Sequence, residues 1–305
     1  MTVTLIDSAN HEYTIPDVVS WDICHTMGEP CDYYELSALY TADMRAKLVS
    51  AVRLRAAHLD ATVFYGVVDE YVITLTEKGA VVTVHGRSLA ALLLDNEAQA
   101  AEYAAVGLST ILANHVTPCG ITDVATGTMN TLAQFSVSSG SSQWSVLKHF
   151  CRYAGSVQPR FSPAGKLLLN NPTGTSKSVD DAYSVKLRDN RYGIISSVLV
   201  KNRVTGASYT VSNPNASRLS CRRVITVPKN TGETAARYTA QYQITESQRE
   251  KRYIELALPR LFAMFPGDTA AFSSALLGIS GTFTACKTRC WANEQGAGTV
   301  VTLEV

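Results

Sequence analysis

Hydrophobic and polar residues alternate along much of this sequence, in short runs that turn residues separate. Val3 and Leu5 alternate with threonines, and residues 52–56 alternate aliphatic side chains with arginines. A period of two places one set of side chains on one face of a β-strand. Residues 63–75 continue the pattern, with Gly66 indicating a bulge or tight bend, and residues 81–85 follow a turn at 77–79. The first 87 residues therefore predict a small antiparallel sheet or barrel.

The spacing changes to a helical one at Ser88. Leu89, Leu92 and Leu93 fall on one helical face, with Ser88 as the predicted N-cap. Helices are also predicted to start at Ser109, before Pro118, and to run from near Ser142 to Gly155, and residues 162–165 indicate a hairpin. Residues 88–190 are thus predicted to form a small mixed α/β unit.

Strand patterns return after Gly193. Strands are predicted at 194–201, 209–211, 222–227, 238–244 and 253–258, the last ended by Pro259. Thr245 and Gln248 resemble a capping box, which predicts one helical turn through Arg252. A final hairpin is predicted from residues 281–291 and 299–305.

The predicted fold class is mainly β with an α/β insert. Two small antiparallel β-barrel-like domains, 1–87 and 191–305, flank the mixed α/β domain, 88–190. Of the 305 residues, 46% are hydrophobic and 17% are charged, which suits a large core and argues against disorder. The net charge of +1 lacks the basic excess of a dedicated nucleic-acid binder.

Targeting segments are not expected. Residues 1–7 have the pattern of a strand rather than of a signal peptide, and no run approaches the roughly 18 apolar residues of a membrane helix. We therefore expect a soluble chain made in the cytoplasm, without membrane insertion.

Seven cysteines, an odd number, do not predict a disulfide framework. Cys286 and Cys290 lie about 13 Å apart if they share a strand, which is too far for a disulfide or a shared zinc ion. Cys24 and Cys31 could meet across a loop. In a reducing cytosol we expect free thiols.

Motifs of catalysis are missing from the sequence. It contains no nucleophile elbow, P-loop or dinucleotide fingerprint, and His11-Glu12 lacks the second histidine of a zinc protease. The scattered histidines are predicted to be structural; they are His11, His25, His58, His85, His115 and His149. The acid pairs 69–70, 180–181 and 95/97 point apart on strands or helices. We therefore expect no catalytic, cofactor-binding or metal-binding residues, and no enzyme.

Basic and aromatic residues suggest protein contacts. The clusters Arg53/Arg55, 222–223 and 249–252 are too short to track a phosphate backbone, and each fits an interface or a solvated face. Arg53 and Arg55 are expected on an exposed strand face. The fourteen tyrosines fit protein interfaces.

One layout is found at residues 63–69, the turn after them and residues 81–95. It resembles the baseplate hub family of contractile phage tails, prophages and phage-tail-like particles. The resemblance is to the Mu tail-protein, late control D-like type of that family. The most specific motif is Gly86-Arg87-Ser88 followed by Leu92-Leu93-Leu94-Asp95, in which Gly86 permits a sharp exit from the strand and Arg87 can reach a carboxylate. The remaining similarities follow in order: Pro118-Cys119-Gly120-Ile121, Gly140-Ser141-Ser142-Gln143-Trp144, a hairpin at 161–169, Pro266-Gly267-Asp268 and a closing hairpin at 279–305.

The resemblance implies a homotrimeric ring that joins tail tube to spike and surrounds an axial channel. It implies contacts with tail tube, spike and tape-measure proteins, passage of DNA, and a place in the virion baseplate after assembly in the bacterial cytoplasm. Spike and lytic activities would belong to other chains. The alternatives are a tail-associated cell-wall hydrolase and a virion binding module without a channel.

Overall fold

The computed structural model of the protein describes residues 1–59, 61–170, 174–216, 220–227, 231–249 and 251–305. Strands dominate both ends of the chain, and short helices lie mainly between them. The predicted class, mainly β with a small α/β part, is confirmed.

The first part of the chain is a run of strands with one short helix, α1 (Met44–Ser50). The strands are β1 (Thr2–Asp7), β2 (Glu12–Ile15), β3 (Val18–Thr26), β4 (Tyr33–Leu39), β5 (Ala51–His58), β6 (Ala61–Thr76) and β7 (Gly79–Ser88). Met44 and Leu48 lie about one helical turn apart and both are buried, so α1 packs its apolar side into the core of this part.

The middle part is an α/β unit. Its elements are α2 (Ala90–Leu94), β8 (Ala101–Val106), α3 (Leu108–Ile111), β9 (Val124–Thr126), β10 (Leu132–Val137), α4 (Gln143–Gly155), β11 (Arg160–Phe161) and β12 (Leu167–Leu169). A π-helical turn, Leu112–Val116, and a 3-10 turn, Thr117–Cys119, continue α3 to Gly120. α4 begins near Ser142 as predicted, and the structure makes Ser142 its N-cap, because Ser142 Oγ accepts the Ser145 N–H at 3.1 Å. The predicted hairpin is β11–β12.

The last part contains strands of two sheets and one long helix. Its elements are β13 (Ser176–Ser178), β14 (Ser184–Asp189), β15 (Ser197–Asn202), β16 (Ser208–Ser212), β17 (Arg222–Val227), α5 (Glu233–Gln248), β18 (Arg252–Leu258), β19 (Thr269–Ser274), β20 (Ile279–Asn293) and β21 (Gly296–Glu304). The closing hairpin is as predicted. β18 ends immediately before Pro259, also as predicted.

The strand predicted at 238–244 is wrong, and so is a helix starting at Thr245, because both segments belong to α5. Ala236, Ala240 and Ile244 recur every four residues and pack against the small sheet of β15, β16 and β17. The tyrosines and threonines of this segment favour strands, and they masked the helical period.

One sheet of 13 strands joins the two ends of the chain. Its main path runs β14-β18-β21-β20-β3-β4-β7-β6-β5-β1-β2, and β19 and β13 branch from β20. The two ends have separate apolar cores, as two barrel-like units require. The β3–β20 ladder nevertheless connects them, and the path through the described strands stays open. The domain borders at 87/88 and 190/191 remain predictions.

One local prediction at the end of β7 is wrong. Ser88 is the last residue of β7 rather than an N-cap, and Leu89 precedes α2 without a side-chain cap. In β6, the bulge that was one of the two features predicted at Gly66 is not found there, since the register shifts at Asp69 against β7 and at Val63 against β5. A Cβ on Gly66 would lie 2.1 Å from the Arg87 carbonyl oxygen, so glycine is there because the backbone of β7 comes close.

Candidate functional site

The strand-to-helix junction at residues 86–95 lies where the large sheet meets the α/β unit. Gly86 is buried in β7, and a Cβ there would lie 2.0 Å from the Val67 carbonyl oxygen and 2.5 Å from the Tyr34 ring. The Tyr34 hydroxyl donates to that same oxygen at 3.2 Å. Glycine is thus required by close packing of β4, β6 and β7, rather than by the sharp exit from the strand that the sequence suggested.

Arg87 binds two carboxylates at once, whereas the sequence predicted that it could reach one. Its Nε and Nη2 donate to Asp69 at 2.7 and 2.8 Å, and its Nη1 and Nη2 donate to Asp95 at 3.1 and 2.7 Å. The hydrogen bonds from Arg87 lower the pKa of Asp95, and those to Asp69 and Asp95 raise the pKa of Arg87. Because Asp69 lies at the bulge of β6 and Asp95 follows α2, Arg87 fixes the helix against the sheet.

Asp32 is the buried centre of the same junction. Its carboxylate accepts the Thr26 N–H at 2.9 Å and lies 2.9 Å from His25 Nδ1. His25 Nε2 donates to the Val63 carbonyl at 2.9 Å, and the Asp32 N–H donates to Ser88 Oγ at 3.1 Å. The Ser88 side chain therefore serves a buried network that ties β3, β6 and β7 together, which explains why it does not cap α2.

The other histidines contact neighbouring side chains or line surface clefts. His11 Nδ1 lies 2.9 Å from Asp7, and His85 Nδ1 lies 3.6 Å from Glu35. His115 lies between the Tyr103 hydroxyl at 2.9 Å and Gln143 Oε1 at 2.7 Å. His58 and His149 each lie along a pocket wall.

Three of the acidic residues singled out in the sequence bind arginines, and Asp180 accepts a hydrogen bond from the Ser178 hydroxyl at 2.5 Å. Asp69 and Asp95 share Arg87, and Asp181 accepts two hydrogen bonds from Arg260 at 2.5 and 2.9 Å. The hydrogen bonds from Arg260 lower the pKa of Asp181. A carboxylate held in its charged form in this way is a weak proton acceptor for general-base work.

The arginines of β5 lie on a half-exposed strand face, beside the first hairpin. Arg53 donates to the Tyr65 hydroxyl at 3.1 Å and to Asn10 at 2.8 Å. Arg55 binds Glu12 at 2.7 Å. Both cations therefore have partners within the chain.

No disulfide joins any of the seven cysteines, all of which lie among the described residues. Burial raises the pKa of Cys31 to about 11 and the pKa values of Cys151 and Cys290 to about 12. Within the described ranges, no group of three or more His, Cys, Asp or Glu side chains could hold a metal ion. No described helix has both the length and the apolar character needed to cross a membrane.

The large sheet has one apolar face and one polar face. Tyr34, Leu36 and Ile23 point into the core, whereas their neighbours Glu35 and Asp22 point outward. Ion pairs run along the outer face between adjacent strands: Asp22 with Arg289, Glu35 with His85, and Glu255 with Lys186. Such a polar face does not pack in the core, and it can contact water or another chain.

Several described strands of this sheet have open edges. β2 and β13 each pair with one neighbour, and the open edges that carry large exposed apolar side chains are those of β6 and β14. β6 pairs with β5 only through Val67, so beyond the bulge its segment 70–76 pairs with β7 alone. β14 pairs only with β18. Both open edges expose large apolar side chains: Val72 (43%), Leu75 (74%), Tyr183 (68%) and Val185 (38%). Open edges with apolar side chains are sites where another chain can pair.

The comparisons with solved structures define the fold class. A tail protein from Neisseria meningitidis MC58 matches 100% of this chain and 96% of its own, with a TM-score of 0.78 at 15% identity. The 43 kDa tail protein of prophage MuSo2 from Shewanella oneidensis matches 99% of this chain and 98% of its own, with a TM-score of 0.78 at 14% identity. The chain thus has the fold of prophage tail proteins over its full length.

A type VI secretion component of E. coli, described as structurally similar to the T4 bacteriophage tail proteins gp27 and gp5, matches with a TM-score of 0.59 at 9% identity. It covers 94% of this chain and 73% of its own. No protein-family model and no curated protein matches the sequence. The resemblance inferred from Gly86-Arg87-Ser88 is therefore confirmed as a likeness of fold to phage tail and baseplate hub-like proteins.

Two features could not be predicted from the sequence: the Asp32–His25 pair of the junction and the edge strand β14. Asp32 and His25 stand in different segments, and no spacing rule relates an aspartate after a loop to a histidine on the strand before it. β14 was missed because Val185 and Leu187 alternate with polar residues for only two periods, too few to stand out from a loop.

Proposed function

We propose that the protein is a structural, non-catalytic hub component in the baseplate of a contractile phage-type tail. Three copies form a ring that joins the tail tube to the spike and surrounds an axial channel. The observation that carries the proposal is the match of the whole chain, end to end, to prophage tail proteins. The partners are further copies, the tail tube, spike and tape-measure proteins, and DNA in transit; the location is the virion baseplate, after assembly in the host cytoplasm.

The surface of the chain supports an assembly role. The outer face of the large sheet is polar and ion-paired, whereas its edges at β6 and β14 expose apolar side chains. A head-to-tail contact between two different surfaces closes into a ring when the rotation between copies divides a full turn. The edges of β6 and β14 are two different surfaces on one subunit, which is what a head-to-tail contact needs.

Native mass measurement and negative-stain imaging test the ring. We expect a three-fold particle with a central hole, either for the purified chain at high concentration or after addition of the tail tube and spike proteins. A chain that stays monomeric in both conditions contradicts the proposal.

The absence of catalysis has its own test. The purified protein, alone and in the assembled particle, is incubated with peptidoglycan and the release of soluble fragments is followed. We expect no release above a heat-denatured control. Hydrolysis that disappears on mutation of an acidic residue of this chain would instead assign it as a cell-wall hydrolase.

A further inference from the structure

The open edges of β14 and of β6 residues 70–76 have compatible directions. From β14 to β6 the path crosses eight strands, β14-β18-β21-β20-β3-β4-β7-β6, and each ladder along it is antiparallel. β14 and β6 therefore run in opposite directions. When a second copy is placed with its β14 beside the β6 of the first, the new pair is antiparallel and the sheet continues with the same face outward.

The core-facing side chains of the two edges also match. In β6, Tyr71, Ile73 and Leu75 alternate with the outward residues Glu70, Val72 and Thr74. In β14, Val185 and Leu187 alternate with the outward residues Lys186 and Arg188, and Tyr183 precedes them. Each edge thus presents an apolar row of side chains on the core-facing side and a row of greater polarity on the outer side. In both rows the side chains recur every second residue.

Charge selects a register between these rows. Glu70 is exposed and starts the open segment of β6, while Arg188 and Lys186 give β14 a basic outer row. If Glu70 lies opposite Arg188, the same register places Ile73 opposite Val185 and Leu75 opposite Tyr183. All three pairs are then favourable cross-strand pairs, one of opposite charge and two apolar.

We propose that neighbouring copies in the ring are joined by this pair, with β6 residues 70–76 of one copy antiparallel to residues 182–188 of the next. The inference rests on the proposed ring and names its contact surface. Pairing covers the exposed Leu75, Tyr183 and Val185 and satisfies the free N–H and C=O groups of both edges. The occupant of each edge is a second copy of this chain.

A disulfide between copies tests the register directly. In the full-length chain, Ile73→Cys is combined with Val185→Cys, and the ring fraction is mildly oxidised. Facing residues on antiparallel strands have Cβ atoms about 4.5–5.5 Å apart, close to what a disulfide needs. We expect covalent trimers to dominate on a non-reducing gel. The native thiols are buried or half-buried and should add little background.

The matched control pairs Ile73→Cys with Lys186→Cys. These side chains face opposite sides of the sheet in the proposed register, so we expect less than a tenth of the cross-linking. A ring of normal mass that cross-links no better with Val185→Cys than with Lys186→Cys overturns this inference and leaves the ring proposal standing. The absence of any ring, with the tail tube and spike proteins present, counts against the proposed function itself.

Charge reversal gives an independent measurement. Glu70→Arg or Arg188→Glu alone should weaken ring formation, measured by sedimentation, about tenfold or more, and the double variant should recover most of that loss. Recovery by the double variant supports the Glu70–Arg188 contact. Equal weakening in the singles and the double, with folded monomers confirmed by circular dichroism, contradicts it.

Discussion

Asp32 and Asp268 are buried carboxylates in opposite halves of the large sheet, and each ties a loop to strands. Asp268 accepts the N–H and hydroxyl of Thr175 at 2.8 and 3.1 Å and the N–H of Phe265 at 2.9 Å. Asp32 accepts the N–H of Thr26 at 2.9 Å and lies 2.9 Å from the ring of His25. Asp268 is thus held by backbone and hydroxyl donors, whereas Asp32 depends on the ionisable ring of His25 beside a single backbone donor.

The difference determines how each half responds to the loss of a partner. Asp268 keeps its backbone donors whatever happens to a neighbouring side chain. Asp32 relies on His25, which also binds Val63 and packs between the rings of Phe64 and Phe265 at 5.7 and 5.3 Å. A carboxylate left buried without its partner is much more costly than a lost neutral hydrogen bond. The first half should therefore be the more fragile one.

The largest effect is expected from His25→Ala. The substitution leaves the Asp32 carboxylate buried with one backbone donor, removes the donor to Val63, and opens a gap between two phenylalanine rings. We expect the free energy of unfolding to fall by about 3–5 kcal/mol, measured by urea denaturation.

His85→Ala is the matched control, since His85 lies on the exposed face of the same sheet, 3.6 Å from Glu35. Exposed ion pairs contribute about 0–1 kcal/mol, so its loss should be small. If the two variants unfold at similar urea concentrations, Asp32 does not depend on His25 and the contrast between the two halves fails.

The next largest loss of stability is expected from substitution of glycines near the buried carboxylates Asp32 and Asp268. Gly86→Ala places a methyl group 2.0 Å from the Val67 oxygen inside three packed strands, and we expect it to cost about 1–3 kcal/mol. Gly174→Ala places one 2.2 Å from the Gly267 oxygen, but at an exposed residue outside any strand, so its cost should be smaller. Gly232→Ala meets no atom within 4 Å and serves as the control in thermal unfolding. A larger cost at Gly174 than at Gly86 would reverse the comparison.

Sequence patterns predicted what depends on local periodicity. The strands around Val3, residues 63–75 and the closing hairpin, the start of α4 near Ser142 and the arginine–carboxylate contact of Arg87 all follow from side-chain spacing or chemistry. The β3–β20 ladder and the Asp32–His25 pair do not, because residues far apart in the chain meet there only after folding. The strand prediction for residues 238–244 failed for a different reason. The helical period of this segment lies mainly in small alanines rather than in large apolar residues.

Thr175→Val tests the neutral half of the comparison. Asp268 loses one hydroxyl donor and keeps two backbone donors, so we expect a loss of about 0.5–1.5 kcal/mol in the free energy of unfolding. Urea denaturation beside His25→Ala measures the difference directly. A loss as large as that of His25→Ala would show that hydroxyl and ring donors are equivalent in these networks.

The smallest effect concerns His149, whose surroundings are opposite to those of His25. Burial, followed by the charges of Arg152 and Lys148, lowers the pKa of His149 below its ordinary value of 6.5. The unfolded chain therefore binds this proton more readily, and the native protein loses stability as the pH falls from above 6.5 toward the lowered pKa. His149→Gln should match the parent in melting temperature above pH 7.5 and exceed it slightly near pH 5. Lys148→Gln should narrow that gap, whereas a gap that does not change with pH would contradict the assignment.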